Sequence, residues 1–168
     1  MLDDGTSQGL LTHFAPPGRA EASVLMDQAE ACLRNPVTQV VLESLDGLVM
    51  VLNAQRQILA ATPALLKALE ADGVRDPLGM RPGEAVGCVH ADEGPEGCGT
   101  SRACRCCGAV LCILAAQAHP EEGTSGECLL SMRRAGLWNA AEYQVHARSV
   151  PLGGHPCTIL VLHDISAQ

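Results

Sequence analysis

Four cysteines fall as Cys88-x9-Cys98-x5-Cys104-x2-Cys107, inside a stretch from Cys88 to Cys112 that holds six of the chain's nine cysteines. Thiolates are the protein ligands that soft and borderline metals favour. Four of them close in sequence can surround one tetrahedral ion or the corners of one iron–sulfur cluster. Gly97 and Gly99 flank Cys98, and Gly108 follows Cys107; a residue without a Cβ lets the backbone turn tightly against an inorganic centre. Cys88, Cys98, Cys104 and Cys107 are therefore the expected metal ligands.

The spacing bears on which metal. Structural Cys₄ zinc sites usually come as two CxxC pairs, and here only Cys104–Cys107 is one. A cluster presents well-separated corners and tolerates irregular spacing. The first expectation is an iron–sulfur cluster of the [4Fe–4S] kind, the second a structural zinc ion, the third a metal-free thiol switch. His90, Cys106 and Cys112 are possible alternative ligands, each with a plainer reading: a turn residue, a spare thiol beside Cys107, and a core residue of the helix that follows. Arg102 and Arg105 are interleaved with the ligands, where guanidinium groups would offset a centre carrying about −2 or would simply be solvated. Cys32, Cys128 and Cys157 read as small packed hydrophobes.

Composition removes several function classes. The net charge is −8 and Phe14, Trp138 and Tyr143 are the only aromatic residues, which leaves neither the basic footprint nor the stacking platform of a nucleic-acid binder. The first residues lack a basic leader, and no apolar run is long enough to span a bilayer. A cytoplasmic protein without membrane contact is expected, and in a reducing cytosol cysteines serve metals or reactivity more often than disulfides. GxSxG, P-loop, HExxH and kinase catalytic motifs are absent. The CRCC run lacks the βαβ frame of a thiol oxidoreductase, and the zinc-deaminase signature does not fit. No enzymatic activity is expected.

Around the cysteines the pattern predicts these elements. Residues 1–18 read as a mobile arm. Residues 19–34 form a helix with an apolar stripe of Ala22, Leu25, Met26, Ala29, Cys32 and Leu33, and Pro36 opens a second short helix. Strands follow at 47–53 and 56–61, then a helix capped at Thr62-Pro63 and ending at Gly73. A Pro- and Gly-rich run leads into the cysteines, and a helix after Cys107 turns its N-terminus toward the metal. Strands at 126–134, 140–152 and 156–166 close the chain, the last two joined through Gly153-Gly154-His155 as a hairpin. Tyr143, Val145, Ala147 and Ser149 alternate against Glu142, Gln144, His146 and Arg148.

Two strands, short helices and a three-stranded meander resemble the order of a PAS domain. DGLVMVLNAQRQILAATPALLKAL is similar to its opening, and TILVLHDIS, with Asp164-Ile165-Ser166, to its closing strand. The likeness runs from about residue 37 to the C-terminus, and GCVHA…GCGTSRACRCCGAV resembles a cysteine-rich bacterial subgroup associated with histidine kinases. The resemblance implies an α+β fold with a five-stranded antiparallel sheet. Composition and pattern divide the chain into an arm (1–18) and an N-terminal helical segment (19–44) whose apolar stripe suits dimerisation and signalling, and the resemblance makes the rest a PAS-like sensor domain (45–168) with a Cys-rich insertion at 88–112. It further implies a homodimer that senses a signal and regulates a histidine kinase or other signalling partner.

Overall fold

The computed structural model describes residues 11–167. Its centre is one antiparallel sheet of five strands in the order β2-β1-β5-β4-β3, the PAS-like α+β arrangement expected. The strands are β1 (Leu48–Leu52), β2 (Ile58–Ala61), β3 (Thr124–Arg134), β4 (Leu137–Leu152) and β5 (His155–Asp164). Between β2 and β3 lie α3 (Pro63–Ala71), α4 (Pro82–Val86) and α5 (Gly108–Ala118). Two helices, α1 (Ala22–Arg34) and α2 (Pro36–Ser44), precede the sheet. None of the helices among the described residues is long and apolar enough to cross a membrane.

The period of two along each strand builds two separate cores. On one face Met50, Leu52, Leu160, Val145 and Met132 meet Leu65 and Leu69 of α3 and Ile113 and Ala116 of α5. On the other, Val49, Val51, Leu59 and Cys157 meet Ala29, Cys32 and Leu42 of α1 and α2. Each large apolar side chain buried in this way contributes about 1.5–3 kcal/mol. The cover on the second face is narrow, because Met26, Leu33, Val37, Val40 and Val41 of α1 and α2 stay exposed. In β4, Tyr143, Val145 and Ala147 are buried while Glu142, His146 and Arg148 are exposed, the alternation read from the sequence.

The β4–β5 hairpin turns at Gly153-Gly154, with φ of +57° and +80°, a sign of the mirror-image turns that match strand twist. Ala135-Gly136, at +48° and +77°, does the same between β3 and β4. That turn lets β3 and β4 run on to Arg134 and start at Leu137, where a longer gap had been expected.

Two local expectations are corrected. Thr62 does not cap α3 with its side chain. Its hydroxyl, fully buried, instead donates to the Gly47 carbonyl at 2.7 Å and accepts from the Val49 amide at 3.2 Å, tying α3 to β1. Thr62→Val keeps the shape and strands both backbone groups, so unfolding in urea should show a loss of about 1–3 kcal/mol. The second correction is the arm. Residues 1–10 lie outside the described residues, but the rest of the expected mobile arm is held. The His13 amide donates to the Thr100 carbonyl and the Ala15 amide to that of Gly99, both at 2.9 Å, so this strap lies along the cysteine loop.

Candidate metal centre

The loop between α4 and α5 holds only two short 3₁₀ helices, Val89–Ala91 and Arg102–Cys106, so much of its shape comes from side chains tying down backbone. α4 was not foreseen. Pro82 at its first position suits a helix start, and the Glu84 carboxylate reaches back to the Arg81 amide at 2.9 Å. The same carboxylate accepts from the Cys98 amide at 3.2 Å and from the Arg19 guanidinium. Burial pushes Glu84 up, but its bonds from Arg19, Arg81 and Cys98 outweigh that and hold its carboxyl below the usual range. Glu84 thus clamps the strap, the start of α4 and the Cys98 loop together.

These ties bring the expected ligands to one place. Cys88, Cys98, Cys104 and Cys107 all line a cavity of about 220 Å³ between the loop, α5 and the sheet. A fifth thiol, Cys128 of β3, lines it too, with its Sγ 3.8 Å from that of Cys107. Gly83 forms part of the wall. Its amide lies 3.3 Å from the Cys98 Sγ, and a Cβ there would stand 2.8 Å from that sulfur. Among the described residues, no three His, Cys, Asp or Glu side chains converge closely enough to share one metal ion. The donors are spread around a volume.

The thiols differ in acidity. Burial pushes Cys98 up to about 12, with the neighbouring thiols adding to the shift; such a sulfur keeps its proton near neutrality unless a cation takes its place. Cys107 is shifted the other way. Its hydrogen bond with the Cys128 thiol, and then the Val110 and Ala109 amides at the start of α5, outweigh burial. The start of a helix favours negative charge.

The alternative ligands separate. His90 stands on the cavity wall, its Nδ1 bonded to the Glu93 carboxylate at 2.6 Å. Cys106 reaches the same wall while remaining exposed. Cys112 is buried in the α5 core, its sulfur near Gly126, and does not line the cavity. The two arginines expected beside the ligands are on the outer side. Arg102 and Arg105 are exposed, and Arg105 donates to the His13 carbonyl of the strap.

The guanidinium groups that do face this region are Arg56 and Arg81, which sequence reasoning missed. Arg81 is fully buried and donates to the carbonyls of Gln55, Glu96, Cys98, Pro17 and Gly18. Burial, and then the charges of Arg56 and Arg19, pull it down to about 10, so it remains a cation at neutral pH. Arg56 is 2% exposed and sits at φ +64° in the β1–β2 turn, a conformation uncommon outside glycine. Asn53 stabilises that turn, its Oδ1 accepting from the amides of Gln55 and Gln57. Arg56 donates to the Pro16 carbonyl at 3.1 Å and the Cys98 carbonyl at 3.4 Å. Its Nε is buried without a hydrogen-bond partner among the described residues, and the side chain lines the cavity.

Charge is therefore out of balance. Arg56 and Arg81 are buried near one carboxylate, Glu84, which also pairs with the partly exposed Arg19, leaving an excess of positive charge near the thiols among the described residues. Buried charge without a counter-charge is costly. A four-thiolate centre bound in the cavity, at about −2, would offset that charge. The donor chemistry, the cavity and the orphaned Arg56 Nε all fit such a group.

No family model matches this chain, and no curated protein does. Among solved structures it is similar to a PAS domain from a two-component sensor histidine kinase, at 7% identity and a TM-score of 0.47 over 79% of this chain and 96% of that one. It is similar to the PAS domain of an HTR-like protein from Haloarcula marismortui, at 14% identity and 0.46, covering 83% and 99% of the two chains. A third similarity, at 17% identity and 0.48, is to an RNA-binding Light-Oxygen-Voltage receptor, covering 91% of this chain and 38% of that one.

Proposed function

We propose that this chain is a PAS-type, non-catalytic signalling sensor in which Cys88, Cys98, Cys104 and Cys107 hold an iron–sulfur cluster that responds to oxygen or redox poise. The observation that carries this reading is the buried Arg56–Arg81 pair, set against a thiol-lined cavity and matched by one carboxylate. An iron–sulfur cluster supplies a centre whose charge changes on oxidation or reduction. The chain's own residues carry that change outward. Arg56 and Arg81 bond both to the Cys98 carbonyl and to the strap carbonyls of Pro16, Pro17 and Gly18, and the strap leads directly into α1. A shift in the Cys98 loop therefore alters the anchorage of α1 and α2. Their exposed Met26, Val37 and Val40 offer an apolar surface for a second copy of the chain or a histidine kinase helix.

A single structural zinc is the second reading, favoured by the close approach of Cys107 and Cys128. It requires two further sulfurs to converge on the same point, whereas the thiols stand around a cavity. Anaerobic purification separates the two. Brown protein containing iron and sulfide, whose visible colour bleaches in air, is expected; colourless protein with stoichiometric zinc would overturn the cluster.

A further inference from the structure

Cys128 lies in β3, where alternation accounts for its burial together with Met132 on the inner face. It does not account for the company this thiol keeps. At 5% exposure, Cys128 shares a cavity wall with Cys88, Cys98, Cys104 and Cys107, and its sulfur is 3.8 Å from that of Cys107. The other buried thiols of the sheet and of α1, Cys157 and Cys32, lie in the core on the opposite face.

The backbone lays the cysteine loop onto β3 on both sides of this residue. At one side α5 begins in direct contact with the strand: a Cβ on Gly108 would stand 2.0 Å from the Glu127 carbonyl oxygen, so only glycine lets Cys107 approach. At the other side Cys88 forms an antiparallel bridge with Met132, and the Arg133 amide donates to the Gly87 carbonyl at 2.9 Å. Two sulfurs bound to one tetrahedral metal, a zinc ion or a single iron that takes two cysteines, with bonds of about 2.3 Å are separated by about 3.8 Å, whereas cysteines on separate irons of a [4Fe–4S] cluster stand farther apart. Cys107 and Cys128 already stand at that separation.

We propose that Cys128 is one of the four ligands of the metal centre, bound beside Cys107 on one metal together with Cys98 and one of Cys88 and Cys104, so that the donor set joins the sheet to the loop. The inference rests on the reading that this cavity holds a thiolate-bound metal. It makes β3 a structural member of the site and gives the centre a hold on the sheet besides the route through the strap.

The test compares four proteins prepared anaerobically: the unaltered chain, Cys128→Ser, Cys128→Val and Cys157→Ala. Iron, sulfide and zinc per chain are measured, and far-ultraviolet circular dichroism confirms the fold. Serine keeps the size of the thiol and valine its apolar character, so whichever variant folds decides the matter. The expected result is at least about a fivefold loss of metal in the Cys128 variants and full content in Cys157→Ala. Folded Cys128 variants with the metal content of the unaltered chain would overturn the inference and leave the sensor reading standing. An unaltered chain without metal would overturn both.

Discussion

Cys98→Ala protein prepared without oxygen should retain less than about a tenth of the metal carried by the unaltered chain, while Cys157→Ala retains all of it. Cys98 lies at the junction of everything that shapes the loop. Its amide donates to Glu84, its carbonyl accepts from Arg56 and Arg81, and its sulfur lies against the Gly83 amide. Those contacts use the backbone of residue 98 and survive the substitution, with the exception of the sulfur–amide contact. The metal-free variant should accordingly melt close to the metal-free unaltered protein, and the two should diverge only when metal is present, because binding stabilises the folded chain alone. Cys157 supplies the control, since it sits in the core on the far face of the sheet. Metal retained by Cys98→Ala and lost from Cys157→Ala would place the centre elsewhere in the molecule.

The residues that were legible in the sequence are those whose type carries the chemistry. Cys88, Cys98, Cys104 and Cys107 were legible as thiols that one loop would gather, and they line one cavity; the sheet was visible through alternation in β4 and the Gly153-Gly154 turn. Arg56 and Arg81 were not legible. Each stands in a short polar connection, where an arginine ordinarily reads as solvated, and their burial depends on carbonyls from a strap some 40 to 64 positions distant. The strap was misread for a related reason. Pro16-Pro17-Gly18 has the composition of a mobile arm, yet prolines offer carbonyls without amides that need partners, which suits them to receive two buried guanidiniums. Cys128 was hidden by its own strand, because a buried thiol between the exposed Glu127 and Leu129 satisfies the pattern of a core residue. Thr62 shows the converse. The local motif of a helix start was recognised, but the hydroxyl was claimed by β1.

Arg81→Met should cost the metal-free protein about 3 kcal/mol of stability and release the strap. Methionine fills much of the volume but donates nothing, leaving the carbonyls of Gln55, Glu96, Pro17 and Gly18 without this partner. Removing the charge also removes the cost of burying it, which offsets part of the loss and keeps the figure below the sum of the separate bonds. Arg81→Lys is expected to recover little, because an ammonium is a compact donor and cannot reach acceptors spread around a planar fork. Urea unfolding measures the loss, and amide exchange at His13 and Ala15 measures the strap: both amides are bonded to the cysteine loop and should lose protection in Arg81→Met. With metal present the variant should lose a further increment, since one of the two positive charges that balance the thiolates is gone. Protection at His13 and Ala15 unchanged by Arg81→Met would mean that the strap is held by its own backbone pairing and by Arg56. In that case the link from the cavity to α1 runs through the β1–β2 turn instead.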